Sequence, residues 1–466
     1  MKKITTLLAL NFLLAVAAVN SSFAQTQVLY GNCNMGGNAS GGTIFQANLD
    51  GSNLHAVYSF LGPEGRMPWG KNAQAANGKI YGTTFLGGCS DSCTLYEYDP
   101  VTTICNSVYE FFCGNGPVGE PSQGGVVILP DGNLYGLQQN GVVYKFDPNT
   151  HVYTLLNQSS DWYYGRLMQA SDGALYGMSK TGGTGMVGYI FRYDLTAQTF
   201  SVAYNFDGIH GGHPYYGSLI QATDGKLYGT TFDWGANQEG VIFSYNIASN
   251  AYTDLFDFDS TQGSYPYAGL LQASNGKLYG MTYEGGTSNL GVIFSYDISA
   301  SQYSVLYNFD QANGAHPVGA LTQASNGMLF GTTNHGGVNN MGVAFKYEIA
   351  TSTYTKLIDF SLATGSYPQC DTQEATISVE TGITSAGSSS SSIYVDAASQ
   401  HLIIQNLQLN SSAQLIVYDA VGKNIFQSET GNQKSEFDLS MYPTGIYLVQ
   451  LTAGGKVNTQ KIVLTK

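Results

Sequence analysis

Seven times along this chain an aliphatic residue is followed by an aromatic and a glycine: Leu29-Tyr30-Gly31, Ile80-Tyr81-Gly82, Leu134-Tyr135-Gly136, Leu175-Tyr176-Gly177, Leu227-Tyr228-Gly229, Leu278-Tyr279-Gly280 and Leu329-Phe330-Gly331. The central aromatics stand 51, 54, 41, 52, 51 and 51 residues apart. A period near fifty implies an array of one supersecondary unit, each copy too small to bury its apolar face alone. Residues that recur in every copy read as architecture. Chemistry is therefore to be sought where the copies differ.

The copy from Pro266 to Asp310 shows what the unit is. Leu270 to Ser274 reads as a short buried strand, and Asn275-Gly276 as a tight hairpin turn whose two residues must both accept positive φ. Lys277 to Tyr283 reads as a second strand, Gly291 to Asp297 as a third and Tyr303 to Phe309 as a fourth. Four short antiparallel strands rich in aromatic and β-branched residues are the unit of a propeller blade. No segment sustains a helical period. The motif aromatics are expected to fill the gaps between blades, and the glycines after them to permit close approach of sheets.

The turn recurs at Asn77-Gly78, Asp131-Gly132, Asp172-Gly173, Asp224-Gly225 and Asn326-Gly327 as well. Only the first copy lacks it, because that copy opens at Val28 already in its second strand. Pro68, Pro266 and Pro317 each stand seven residues before an alanine, and Pro368 repeats the spacing to Ala375 past the last copy. The segment from Gln369 to Ile377 is thus expected to return to the incomplete first blade and close a ring. The fold class predicted is all-β: a seven-bladed β-propeller followed by a small C-terminal β-sandwich.

The ends divide the chain further. Met1-Lys2-Lys3, an apolar stretch from Leu7 to Val19 and Ser22-Phe23-Ala24 read as a secretory signal peptide over residues 1–24. The apolar run falls short of the ~20 residues that a spanning helix needs. The propeller is assigned to residues 25–379, a serine-rich linker to 380–392 and a sandwich to 393–466. Its strands are read at Leu402 to Ile404, Ala413 to Asp419, Phe437 to Leu439, Gly445 to Leu451 and Lys461 to Leu464.

Export puts the cysteines in an oxidising setting, where an even number implies disulfides. Cys89 with Cys93 and Cys105 with Cys113 are local pairs, which leaves Cys33 for Cys370. Cys89 and Cys93 could be half of a zinc site, but no nearby Cys or His pair completes it. No metal or cofactor is expected. A net charge of −14, with 18 basic residues against 32 acidic, does not suit a phosphate backbone, so nucleic acid is excluded as a partner.

Two stretches carry family resemblances. Val417-Tyr418-Asp419-Ala420-Val421-Gly422-Lys423, Asp438-Leu439-Ser440, Pro443-Thr444-Gly445-Ile446-Tyr447 and Lys461-Ile462-Val463 resemble the type A C-terminal sorting domain of the Bacteroidetes type IX secretion system. The family's usual Pro-Asn-Pro opening is replaced here by Val395-Asp396-Ala397-Ala398. The resemblance implies export through the periplasm to the outer surface or the medium, with residues 393–466 engaging the secretion machinery. Leu227 to Thr231, the Gly-Gly loops, Gly240 to Phe243 and the Phe-Asp near the blade end resemble the GloVer tandem repeat of secreted bacterial proteins. That repeat implies no activity.

The loops after each second strand and those between blades are expected to share one face, the usual ligand side of a propeller. Candidates there are Trp69, His213, Tyr215, Asp233, Trp234, Tyr267, Glu284, His316 and His335. Ring faces with a few fixed polar groups suit an extracellular glycan or protein ligand. His213-Pro214 and His316-Pro317 repeat at one blade position, which points to a structural contact. The chain lacks a Gly-x-Ser-x-Gly elbow, a His-Glu-x-x-His helix and a phosphate-binding loop. The reading is a binding propeller acting as a monomer. The alternative is a polysaccharide-active hydrolase or lyase, with Glu284, Asp233 and His335 as its first candidates. A deep opening with paired carboxylates would mark the enzyme, and a broad aromatic surface the binder.

Overall fold

A computed structural model of the chain describes residues 23–88, 93–111, 120–380, 392–396, 401–405, 413–419, 423–430, 435–443, 445–453 and 456–464. Their regular structure is entirely β, and no helix is long and apolar enough to cross a membrane. The chain divides into two compact units, residues 26–377 and residues 378–466, the latter grouped with those before 26. The expected signal peptide falls almost wholly outside the described residues.

In the larger unit, Gln302–Asn308, Val292–Asp297, Leu278–Met281 and Leu271–Gln272 form one four-stranded sheet, as the sequence of that copy predicts. Similar sheets span Met168–Gln169 to Thr199–Asn205, Ile220–Gln221 to Ala251–Asp257 and Thr322–Gln323 to Thr353–Asp359. An eight-stranded sheet consists of two such sets, Arg66–Gln74 to Ile104–Glu110 and Pro121–Ile128 to Val152–Gln158, joined by one parallel bridge between Lys71 and Gly125. The first sheet holds Phe23–Met35, Thr43–Asn48 and His55–Ser59, and both Ser366–Pro368 and Gln373–Glu380 come back to pair with Phe23–Met35.

Apolar clusters bind each set to the next. Tyr30 packs with Ile80 and Tyr98, Tyr81 with Leu134, Tyr135 with Leu175 and Tyr176 with Leu227. Tyr228 then packs with Leu278, Tyr279 with Leu329, and Phe330 with Leu29 of the first sheet. The last set meets the first, so the sheets close into a propeller ring. Burying each of these rings contributes roughly 1.5–3 kcal/mol, which makes the inter-sheet contacts the main source of stability. Their hydroxyls are satisfied locally: Tyr228 donates to Asp224 at 2.8 Å and Tyr135 to Asp131 at 2.8 Å, each carboxylate belonging to the preceding hairpin turn.

The motif glycine has a different partner from the one expected. It accommodates a ring across its own strand pair, rather than the neighbouring sheet. Gly280 pairs with Phe294, and a Cβ on Gly280 would stand 2.4 Å from the Phe294 Cζ. Gly331 and Phe345 repeat the arrangement at 2.6 Å. At the same ring the register between third and fourth strands slips, between Ile293 and Phe294 in one copy and between Ala344 and Phe345 in the next. The bulge turns the ring onto the glycine.

The expected disulfides require correction. Cys33 and Cys370 are free buried thiols. The strand register sets Cys33 opposite Pro368, two residues short of Cys370. The Cys370 Sγ is occupied instead by the backbone of Asn32, accepting from its N–H at 2.8 Å and donating to its carbonyl at 3.2 Å. Cys93 and Cys105 are also free and buried, while Cys89 and Cys113 lie outside the described residues.

The smaller unit has two sheets, one of Ser392–Asp396, His401–Gln405 and Ser435–Asp438, the other of Asn424–Thr430, Ala413–Asp419, Gly445–Ala453 and Lys456–Leu464. Leu402 and Leu439 meet Leu415, Val417 and Val449 in one core between them. Two of its strands, Ser392–Asp396 and Asn424–Thr430, were not read from the sequence. The second is rich in polar residues, and the first begins inside the stretch read as linker.

Candidate functional site

The inter-blade loops are held by a conformation that recurs. Met67, His213, Tyr265, His316 and Tyr367 each precede a proline and each has φ between 44° and 54°. For non-glycine residues this left-handed conformation costs on the order of 1 kcal/mol or more. It persists because the same N–H is bonded each time to a carbonyl of the neighbouring loop: His213 to Val187 at 2.7 Å, Tyr265 to Glu239 at 3.0 Å, His316 to Leu290 at 2.9 Å and Tyr367 to Met341 at 2.9 Å. The turn presents the pre-proline side chain and the residue just after the proline on one face. His213 and His316 therefore occupy a shared structural position, as the repeat implied.

On that face the rings form a continuous arc. Tyr164 stacks on Tyr215 with centroids 4.7 Å apart and planes 7° from parallel. Tyr215 meets Tyr267 edge-on at 5.8 Å, and Tyr267 lies 4.7 Å from Tyr283. Tyr283 continues to His316 at 4.6 Å, His316 to His335 at 5.9 Å and His335 to Tyr367 at 5.4 Å. Phe232 fills the bend beside Tyr215 and Tyr267, and the Lys180 ammonium sits 4.0 Å from the centre of the Tyr215 ring. Most of these rings are partly exposed. Burial and the adjacent His316 hold His335 below the usual histidine range, so it adds a neutral ring.

The predicted residues fall into four places. Tyr215, Tyr267, His316 and His335 belong to the arc. His213, Asp233 and Trp234 form a separate cluster: the His213 Nδ1 lies 3.0 Å from the Asp233 carboxylate and 3.2 Å from the indole nitrogen of Trp234, which donates. Burial pushes the Asp233 carboxyl up, against the opposing effect of His213 and Lys180. Trp69 lies against Phe85 at 5.7 Å, at the mouth of the axial channel. Glu284 is fixed through its backbone, bridged to Ser264. Its charge, with that of Asp259, adds to the burial that pushes Glu239 up.

Sequence reading missed Tyr164, Phe232, Tyr283 and Tyr367. A signal existed for two of them: Phe232 and Tyr283 both stand four residues after the motif tyrosine, directly after a threonine. It also missed the channel itself. One residue in several copies, four before the alanine of the inner strand, lines the axis: Lys71, Arg166, Ser218, Gly269 and Asp371. These positions differ in charge while their neighbours repeat. The channel is pinched where inner strands touch; a Cβ on Gly165 would meet the Gly217 carbonyl at 2.2 Å, and one on Gly70 would meet the Gly125 nitrogen at 2.3 Å. Arg166 donates from Nη1 to the Asp371 Oδ2 at 2.9 Å. Enclosure pushes the Lys71 ammonium down to about 8, Arg166 adding to the shift and Asp371 opposing it. Among the described residues no group of His, Cys, Asp and Glu could hold a metal ion.

Together these features define a β-propeller protein with an aromatic loop face and an appended C-terminal β-sandwich. Residues 2–166 and 162–395 match the Gloeobacter/Verrucomicrobia repeat, and the chain belongs to that repeat family. Residues 398–465 match the secretion system C-terminal sorting domain. The protein is therefore exported by the type IX route to the cell surface or the medium. No curated protein matches the chain.

Among solved structures it is similar to a Bacteroides uniformis protein named for 6-phosphogluconolactonase, at 13% identity and a TM-score of 0.50, over 75% of this chain and 99% of that one. It is also similar to TolB of Acinetobacter baumannii (14% identity, TM-score 0.43, 75% of this chain and 66% of TolB). PorZ of Porphyromonas gingivalis, a surface component of the type IX system, matches at 13% identity and a TM-score of 0.46, over 92% of this chain and 63% of PorZ. The chain spans under two thirds of TolB and of PorZ. At these identities the likeness concerns the fold alone.

Proposed function

We propose that this protein is a secreted binding module, a ring of seven blades that takes an extracellular glycan on its aromatic loop face and acts as a monomer. The observation that carries the reading is the unbroken arc from Tyr164 to Tyr367. Partly exposed rings offer apolar edges and faces to the C–H surfaces of sugars, and Lys180 with the Asp233 cluster supplies fixed polar groups at the rim. The acidic charge of the chain is consistent with a neutral or weakly charged ligand rather than nucleic acid.

The test is affinity electrophoresis of the propeller against neutral and acidic polysaccharides, beside Tyr215→Ala and Tyr267→Ala. Retardation by at least one polysaccharide, weakened about tenfold in either variant, is the expected result. A wild-type protein retarded by none of them, or variants retarded equally, overturns the reading. Reducing sugars released on prolonged incubation would identify an enzyme instead.

A further inference from the structure

Lys71 is the one channel residue whose charge has no evident purpose in holding the ring. On the hairpin-turn side of the constriction, the inner strands line an open pocket of about 320 Å³, bordered by Lys71, Arg166, Gln74, Glu374 and the apolar run Val126 to Ile128. Other polar groups along this wall are engaged. Asp371 takes Arg166 on one oxygen and the Ala320 N–H on the other. Glu374 takes both the N–H and the hydroxyl of Ser325, and Gln74 exchanges two bonds with the backbone of Thr376. Asn72, behind them, is bonded to Asn32 and Tyr96.

The Lys71 ammonium has no hydrogen-bond or ion-pair partner among the described residues, and neither do the Nε and Nη2 of Arg166. A partly buried ammonium without a hydrogen-bonded partner is costly. In a chain of net charge −14 it is also against the overall composition. Asp371 is paired with Arg166, and the Glu374 carboxylate, still charged, is held by Ser325, so the Lys71 ammonium lines the pocket without a hydrogen-bonded counter-ion, beside the spare donors of a planar guanidinium.

We propose that this cavity is a binding site for a small organic carboxylate, of the size and polarity of a sugar acid. One hydrogen-bond-free ammonium with the Glu374 carboxylate in the same lining suits a monoanion better than a phosphate dianion. The guanidinium presents donors in the fork that a carboxylate accepts. Val126, Val127 and Ile128 provide a wall for the carbon face of the ligand, and the volume is at the lower end of small-ligand pockets, about 300–1,000 Å³. This site lies on the far side of the constriction from the aromatic arc and does not rest on the glycan reading.

The probe is D-glucuronate, titrated calorimetrically into the propeller, with D-glucose and inorganic phosphate in parallel. Glucuronate should bind, glucose should not, and phosphate should bind more weakly. Lys71→Met should lose at least tenfold in affinity for glucuronate, and Arg166→Lys, which keeps the charge beside Asp371, several-fold. Tyr215→Ala should leave glucuronate affinity unchanged, which separates this site from the arc. Circular dichroism establishes that each variant is folded before titration. Absence of glucuronate binding, equal affinity in Lys71→Met, binding of glucose as tight as glucuronate, or tighter binding of phosphate would each overturn the assignment.

Discussion

Arg166 and Asp371, 205 positions apart in sequence, meet across the propeller channel with Nη1 and Oδ2 at 2.9 Å. They occupy equivalent positions in two copies of the repeat, where other copies carry lysine, serine, alanine or glycine. The pair is partly shielded, its side chains 18% and 17% exposed. It couples the returning C-terminal strand region to a blade on the other side of the ring, and it leaves Lys71 as the unmatched cation.

That unmatched ammonium should be visible in the pH dependence of stability. The Lys71 amine loses its proton at about 8 in the folded protein and at about 10.4 in the unfolded chain. Between these values the unfolded state binds more protons, so stability conferred through this group rises with pH. The facing groups are Arg166, Asp371 and Glu374. Urea denaturation of wild type against Lys71→Met should show the wild type gaining on the variant from pH 8 to 10. A constant difference would contradict the depressed ionisation.

Asp254 offers a second, opposite case. Burial first, then the neighbouring Asp257, pushes its carboxyl up to about 6, with His210 and the Phe256 N–H opposing. Its Oδ1 is buried without a partner. Because the folded carboxyl holds its proton to a higher pH than the unfolded one, ionisation costs stability as pH rises from about 3.9 to 6. Asp254→Asn should stabilise the protein at pH 7 by up to about 1 kcal/mol, the partial exposure of the site limiting the gain. At pH 3.5 the gain should vanish.

Gly280→Ala should destabilise the ring. The new methyl would lie 2.4 Å from Phe294, and overpacking of this kind costs about 1–3 kcal/mol. Combining it with Phe294→Leu should cost less than the sum of the two single changes, because the smaller side chain vacates the space. Chemical denaturation of the four proteins gives the coupling; strict additivity would show that the ring and the glycine do not compete.

Deleting residues 381–466 should leave a folded propeller that stays in the periplasm. The match to a sorting domain over residues 398–465 places the export signal in the deleted part, and residues 26–377 form their own compact unit. Fractionation of cells expressing the shortened chain reads both outcomes. Its appearance in the medium or on the surface would refute a sorting role. An insoluble product would show that the units do not fold independently.

Much of the fold was written in the repeat. A period near fifty, an Asn-Gly or Asp-Gly turn and three further strands per copy determine a four-stranded unit, because strand alternation and turn chemistry are local. The missing first turn and the Pro368-to-Ala375 spacing pointed to the returning segment, and Gln373–Glu380 does pair with Phe23–Met35. Four of the nine predicted site residues, Tyr215, Tyr267, His316 and His335, lie in one arc.

The rest was decided by packing. That the motif glycine answers Phe294 or Phe345, each beside a bulge to the fourth strand, depends on cross-strand register, which a one-residue slip would alter without changing the hydrophobic pattern. Cys33 and Cys370 looked suited to each other by elimination, yet a two-residue offset between strands gave the Cys370 thiol to the Asn32 backbone. The channel charges were present in the sequence but had no meaning there. Lys71, Arg166 and Asp371 converge only because the ring closes, and closure is a property of all the sheets together.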